Sequence, residues 1–382
     1  MRIAFYAPLK PPDHAVPSGD RQLARALLAA LRIGGHLPEI ASRFRSYDGR
    51  GDAARQLRLR EVGERLAERL IARIRRGAAR PDLWFTYHLY HKAPDYLGPA
   101  VSRALGIPYV VAEPSVAPKQ RDGRWAAGYA AALAAIRAAD VAICVNPADL
   151  PQVRTARGGT RTDLLPPFID VATFVGAAPS PVEGRAPDRA RVRLVTVAMM
   201  REGAKLASYR LLAAALGRLT DLPWDLTVVG DGPARGAVEA AFAGLAPGRA
   251  QLVGLRPAGE IAALLRDSDL FVWPAIDESF GMALLEAEAC GVPVLAGDNG
   301  GVSTVVAAGR SGLLVPVGDA DAFAAATRRL LLDAELRRRM GREAVDYVRA
   351  THDLPAAGAA LDALLRGAVT AHAVRPGAPS TA

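Results

Sequence analysis

The sequence predicts an α/β protein made of two doubly wound, Rossmann-like domains. Three observations carry this. The length of 382 residues suits two domains of ordinary size. Short apolar runs alternate throughout with longer stretches of helical period, the pattern of parallel strands joined by crossover helices. A Pro-, Arg- and Gly-rich stretch, Ala177–Arg191, separates two such series and reads as a linker or exposed loop.

The first series opens on the apolar run Arg2–Ala7, stopped by Pro8 and a Pro-rich loop. A helical pattern follows over Arg21–Leu31, then strand candidates at Pro38–Ser42, Asp82–Thr86, Tyr109–Ala112 and Val141–Val145. In the second series the strand candidates are Arg193–Val197, Leu226–Val229, Gln251–Val253, Leu270–Trp273, Val294–Ala296 and Leu313–Val315. Helices are expected over Ala320–Leu332 and Glu335–Ala350. The domain limits are therefore 1–172, a linker 173–192, and 193–350. A C-terminal segment, 351–382, is expected to pack back on the first domain and to end in a frayed Pro/Gly/Ser tail.

Composition narrows the function. Hydrophobic residues make up 51% of the chain, enough for two cores, which excludes disorder over its whole length. The two cysteines, Cys144 and Cys290, lie far apart in apolar surroundings, so neither a disulfide framework nor a thiolate metal site is expected. The six histidines show no metal-ligand spacing, and no metal site is predicted. Met1–Ala7 is a strand rather than a signal sequence, and no run of about 18 apolar residues exists to span a membrane. A cytoplasmic protein is expected. The net charge of +9 points to an anionic partner without naming it.

The fold alone assigns no chemistry, and the first strand is followed by Pro-Leu-Lys-Pro-Pro rather than a dinucleotide G-x-G-x-x-G. The informative segment is Trp273-Pro-Ala-Ile-Asp-Glu-Ser-Phe-Gly-Met-Ala-Leu-Leu-Glu286. A buried strand ends at Trp273 and a helix is expected to start near Phe280–Gly281. Such a start offers unpaired N–H groups and a positive dipole end, which suit a diphosphate. Gly281 would allow close approach to the backbone. Glu278 before the anion site and Glu286 after it each accept two hydrogen bonds, as a sugar or ribose diol requires. Taken alone, two glutamates are more simply a helix cap and a solvated side chain.

The longer string Glu278-Ser-Phe-Gly-Met-Ala-Leu-Leu-Glu286, continuing Ala-Glu-Ala-Cys-Gly-Val-Pro-Val, resembles the E-x(7)-E signature of GT-B glycosyltransferases, closest to the retaining enzymes of family 4. Val228-Val-Gly-Asp-Gly-Pro233, Val253-Gly-Leu-Arg-Pro257, Asn299-Gly-Gly301 and Gly309-Arg-Ser-Gly-Leu-Leu-Val315 resemble further motifs of that family. The resemblance implies a GT-B fold, its two domains facing across a cleft. It implies transfer of a sugar from a nucleotide-sugar donor, a UDP- or GDP-sugar, to an acceptor hydroxyl by same-face attack, in bacterial-type glycan or glycolipid synthesis. The donor side would be Glu286 on the ribose, Glu278 on the transferred sugar, and Ser279, Phe280 and Gly281 at the sugar or diphosphate, with Gly254 and Leu255 in the loop near the base. Lys205 and Arg201 would neutralise the departing diphosphate, and no metal or other cofactor is expected. The family pattern separates this Arg and Lys by five positions. Here the separation is four, and Met200 occupies the expected Arg position.

In the first half, Gly19 of Ser18-Gly-Asp-Arg-Gln22 stands where the family has a phosphate-closing glycine loop; an ordinary turn glycine followed by an Asp cap is the alternative. By the resemblance, His88 is the preferred contact to the reacting centre and His91 the alternate, with a surface-loop role the competing reading for each. His36 is read as structural. Many family members have His where this chain has Glu113, which would orient an acceptor hydroxyl, act as a base, or line the acceptor pocket. Lys119 and Arg121 either read an anionic acceptor or are solvated. An epimerase or phosphorylase on the same fold, and a non-catalytic basic surface-binding protein, remain alternatives. Nothing matches a nucleic-acid-binding motif.

The positive charge is concentrated. Residues 55–80 hold nine arginines against three glutamates, on a helix whose Leu59, Val62, Leu66, Leu70 and Ile74 recur at spacings of three and four. Either this is a packed helix with a solvated face, or it docks peripherally on anionic lipid bearing a lipid-linked acceptor.

Overall fold

In a computed structural model of the chain, residues 1–16, 18–158, 161–175, 190–278 and 280–373 are described. They form two compact units. One is Met1–Leu165 with the described part of Leu354–Ala382, and the other is Pro166–Asp353. The sequence placed these breaks at 172 and 350. Most of the expected linker lies outside the described residues, as does the tail from 374.

The first unit alternates strands and helices: β1 (Arg2–Tyr6), α1 (Gly19–Ile33), β2 (Leu37–Ser42), α2 (Ala53–Arg75), β3 (Leu83–Leu89), α3 (Gly98–Leu105), β4 (Tyr109–Pro114), α4 (Ala126–Ala138), β5 (Val141–Cys144), α5 (Leu150–Arg157) and β6 (Thr162–Leu164). All pairings are parallel and the order is β2-β1-β3-β4-β5-β6. The edge strand β6 was not anticipated. Its three residues, Thr-Asp-Leu, make no apolar run, and only pairing with β5 holds them extended. The central strands are mostly apolar and buried, as expected where helices cover both faces, with the polar His88 and Glu113 near the ends of β3 and β4.

Unit two begins with the short helix α6 (Ala172–Val175). It continues through β7 (Val192–Val197), α7 (Ala204–Leu216), β8 (Trp224–Val229), α8 (Arg235–Phe242), β9 (Ala250–Gly254), α9 (Ala258–Arg266), β10 (Leu270–Trp273), α10 (Met282–Ala289), β11 (Val294–Gly297), β12 (Gly312–Val315), α11 (Ala320–Leu332) and α12 (Ala334–Thr351). The parallel order β12-β11-β10-β7-β8-β9 is the doubly wound arrangement in which strand order reverses between β7 and β10. In the first unit the reversal falls between β1 and β3. Ligands of such sheets bind at the carboxyl ends of the strands, at these reversal points.

The last helix, α13 (Leu354–Ala373), belongs to the first unit and crosses α1 at glycines. A Cβ on Gly34 would meet the Gly358 carbonyl at 2.9 Å, and one on Gly358 would meet the Ala30 carbonyl at 2.9 Å. His36, buried at the end of α1, reaches Asp362 of α13 at 3.3 Å, which fits its structural reading.

Helix α2 carries the arginine-rich sequence. Its deepest contacts come from Gln56, Gly63 and Ala67, while Leu66, Leu70 and Ile74 are half-buried against the core. The nine arginines of 55–80 are all exposed. Beneath α3 lies a buried polar centre. Asp95 accepts from Thr86 Oγ1 (2.5 Å), Tyr109 Oη (2.9 Å), and the Leu97 and Gly98 N–H groups (both 2.8 Å), so both oxygens are satisfied and the start of α3 is capped.

Candidate active site

In the second unit the reversal point is occupied by an ion pair. Lys205 enters α7 just after β7, and Glu278 follows β10, the adjacent strand. Lys205 Nζ donates to Glu278 Oε2, and Trp273 Nε1 donates to the same oxygen at 3.0 Å. The ammonium also sits 5.3 Å from the Trp273 ring centroid, a cation–π contact. Glu278 is thus aimed by two donors from two strand ends, one of them the indole that closes β10.

The loop that carries Glu278 is held in an unusual shape. Ala275 (φ 55°) and Asp277 (φ 49°) are both left-handed, and Gly281 (φ 71°) follows. Non-glycine residues adopt this conformation at a cost of about 1–3 kcal/mol each, so the surroundings must impose it. They do so through two side chains. Buried Ser208 of α7 accepts the Ile276 N–H at 3.0 Å, and Asn299 donates to the Ala275 carbonyl at 3.2 Å. Sequence reasoning missed Ser208 and the Trp273 indole, because single polar positions inside apolar runs carry no spacing signal.

Helix α10 begins at Met282, with Gly281 as its uncapped start. A Cβ on Gly281 would lie 2.7 Å from Leu284 Cδ1, so glycine is demanded by space as well as by φ. No side chain among the described residues caps this start, and of its first N–H groups that of Leu284 turns back to the Gly281 carbonyl at 2.7 Å. Glu286 is half-buried, pairs with no cation among the described residues, and burial pushes its pKa up to about 7.

Arg201 is not brought into this cluster. It is exposed on the loop after β7, while Met200, where the family pattern has Arg, is fully buried and hydrogen-bonded through its backbone to Asp231 and Ala234. The shorter Arg–Lys spacing thus leaves Lys205 as the cation paired at the strand ends.

In the first unit the reversal point brings together Asp20, at the start of α1 after β1, and His88, near the end of β3. Asp20 Oδ1 lies 3.1 Å from His88 Nδ1. Glu113, at the same level of β4, has Oε2 3.7 Å from that nitrogen. Tyr87 pairs with Ala112 and Leu89 with Pro114; between them His88 (φ 58°) and Glu113 (φ 54°) are both left-handed. Burial works against a charge on His88, but Asp20 and Glu113 outweigh it and the pKa is raised. Contact with His88 lowers that of Asp20. Burial raises that of Glu113, only partly offset by His88.

His91 lies apart from this group. Its ring packs edge-on against Tyr90 and Trp125, and burial lowers its pKa, with Lys92 and Lys119 adding to the effect. Lys119 is exposed on the turn after β4. Gly19 is the first residue of α1, capped by Ser18 rather than by Asp20, and a Cβ there would meet nothing within 4 Å.

Comparison with known proteins bears on the second unit first. Residues 195–346 match the family model described as "Glycosyl transferases group 1". This stretch is a glycosyl transferases group 1 domain. It contains Lys205, Ser208, Glu278, Gly281 and Glu286. The curated relatives include proteins named D-inositol 3-phosphate glycosyltransferase. The one from Corynebacterium glutamicum (strain R) is 40% identical over 121 residues, 32% of this chain and 29% of that one. The one from Salinispora tropica is 32% identical over 206 residues, 50% of this chain and 43% of that one. The chain spans less than half the length of these curated relatives.

Solved structures match nearly the whole chain. Sucrose-phosphate synthase from Thermosynechococcus elongatus aligns over 97% of this chain and 99% of its own, with TM-score 0.70 and 21% identity. Anabaena HepE in complex with UDP and glucose aligns over 96% and 100%, with TM-score 0.64 and 17% identity. The fold is GT-B, as the motifs implied.

Within the group 1 domain, Gly254 (φ 76°) ends β9, the edge strand, which β8 separates from β7, and exposed Leu255 follows it. Phe280 is half-buried beside Gly281. Ser279 lies outside the described residues. No helix among the described residues is long and apolar enough to cross a membrane.

Proposed function

We propose that this chain is a retaining glycosyltransferase that moves a sugar from a nucleotide-sugar donor, a UDP- or GDP-sugar, to an acceptor hydroxyl. The observation that carries this reading is the convergence, at the reversal point of the group 1 domain, of Lys205, Glu278 and the uncapped start of α10, with Glu286 farther along that helix. The carboxylates suit the hydroxyls of the sugar and the ribose, and the ammonium and helix start suit the diphosphate between them. No protein nucleophile is invoked. The acceptor hydroxyl attacks on the face the diphosphate leaves, and the diphosphate takes its proton. Catalysis is then positioning plus stabilisation of the leaving charge, work done here by Lys205 and backbone amides without a metal or other cofactor.

A polyhydroxylated acceptor accords with the curated relatives' names and with the carboxylates of the first unit. Calorimetry against UDP-, GDP-, ADP- and dTDP-sugars tests the reading. One class should bind, and turnover should release free nucleoside diphosphate together with a glycosylated acceptor. Failure of every nucleotide to bind rejects it, and products of epimerisation or phosphorolysis redirect it.

The setting proposed is cytoplasmic glycan or glycolipid synthesis. The exposed arginines of α2 support a peripheral contact with anionic lipid. Flotation with vesicles should depend on anionic lipid and weaken with salt; equal recovery with neutral vesicles would remove this part.

A further inference from the structure

The two units carry ion pairs at equivalent topological places. In the second, Lys205–Glu278 bridges the ends of β7 and β10; in the first, Asp20–His88 bridges the segment after β1 and the end of β3. The first-unit pair is costly to build. His88 and Glu113 are both left-handed at the same level of neighbouring strands, a conformation that packing must impose. Asp20 is not needed as a helix cap, since Ser18 Oγ accepts the Arg21 N–H at 3.3 Å. The helix dipole favours an acid in this first turn, and the contact with His88 is what selects this carboxylate for a further role.

We propose that Asp20 is a positioning residue, whose carboxylate pairs with the charge of His88 3.1 Å from Nδ1 and so keeps Nε2–H available as a hydrogen-bond donor to an oxygen of the acceptor. This rests on the glycosyltransferase reading above. The contact is a charge pair rather than an aligned hydrogen bond, and the donor is the imidazolium, since a neutral ring protonated at Nδ1 would leave Nε2 an acceptor. Glu113 complements the donor. Its Oε2 is buried and makes no hydrogen bond among the described residues, which leaves it as an acceptor beside His88. The charged groups acting on His88 are Asp20 from α1, Glu113 from β4 and Asp149 ahead of α5, with the Tyr87 and Tyr90 rings packed against it. Lys10 acts on Asp20. The carboxylates favour the imidazolium, and activity that needs the donor should fall as pH rises through the His88 pKa.

The test is NMR titration of His88 in the full ligand-free chain, its resonance assigned with His88→Gln, alongside pH profiles of kcat. In the wild type, His88 should titrate above the ordinary value of about 6.5. In Asp20→Asn it should titrate about one pH unit lower, and the alkaline limb of kcat should move down with it. Turnover should fall about tenfold or more while donor Kd holds, and Asp20→Glu should recover part of both. Ser18→Ala, which removes the cap, should lower Tm without moving the His88 titration. An unmoved His88 titration in Asp20→Asn overturns the proposal whatever the activity, as does a moved titration with unchanged kcat profile. A wild-type chain that binds no nucleotide sugar overturns the function assigned above instead.

Discussion

Lys205→Ala is expected to lower kcat/KM for sugar transfer by about 100- to 1,000-fold with little change in Tm. The side chain is about one-third exposed and lies at the strand ends rather than in the core, so its loss opens no cavity. Its effect is electrostatic. A departing nucleoside diphosphate gains negative charge, and a cation aimed beforehand stabilises that charge without reorganising at the moment of reaction. In the ligand-free state Glu278 holds this cation, with Trp273 completing the grip. A bound diphosphate must compete with Glu278 for Lys205. Glu278→Gln is therefore expected to free the ammonium: nucleoside diphosphate should bind as tightly or more tightly, while turnover falls through loss of the contact to the sugar. The two substitutions separate leaving-group stabilisation from sugar positioning. Steady-state kinetics and diphosphate calorimetry on both variants check this, and turnover within threefold of wild type for Lys205→Ala would sink the assignment.

Strand runs such as Leu270–Trp273 were legible because buried parallel strands are apolar without interruption, and the reversal of strand order then places their ends. The glutamates of the E-x(7)-E segment stood out through the resemblance of the longer string to a known signature, since their spacing about a helix start carries no assignment alone. The partnerships were not. Nothing local in the sequence says that Lys205 meets Glu278, or that Asp20 meets His88, since each contact depends on which strands become neighbours. Asp20 stood in view only as a helix cap, a role the structure gives to Ser18. Arg201 and Met200 illustrate a different difficulty. A one-residue change in loop length turns an inward position into an outward one, and motif spacing registers the change without saying which side chain ends up buried.

Glu286 should make donor affinity depend on pH. Burial alone raises its pKa to about 7, and no cation among the described residues offsets the desolvation. A ribose diol donates two hydrogen bonds, which the carboxylate accepts and the protonated acid cannot fully match. Binding of a nucleotide sugar, whose diphosphate is fully ionised across this range, should therefore weaken as pH falls through 7, approaching about tenfold per pH unit well below it. Glu286→Gln should weaken binding at pH 8 by roughly 10- to 150-fold, the worth of a hydrogen bond to a charged group, and should flatten the pH dependence. Stability should respond in the opposite sense. A carboxyl whose folded pKa is raised binds its proton more tightly in the native state than in the unfolded chain. Folding stability is then lost as pH rises from the ordinary carboxylate range to about 7 and is constant above. Removing the ionisable group should accordingly raise Tm at pH 8 and leave it nearly unchanged at pH 4. A flat wild-type Kd between pH 6 and 8 would show that Glu286 does not meet the donor as a carboxylate. The expected pattern, weaker binding with a higher Tm, would mark it as a group kept at a cost to the fold because the ligand repays its burial.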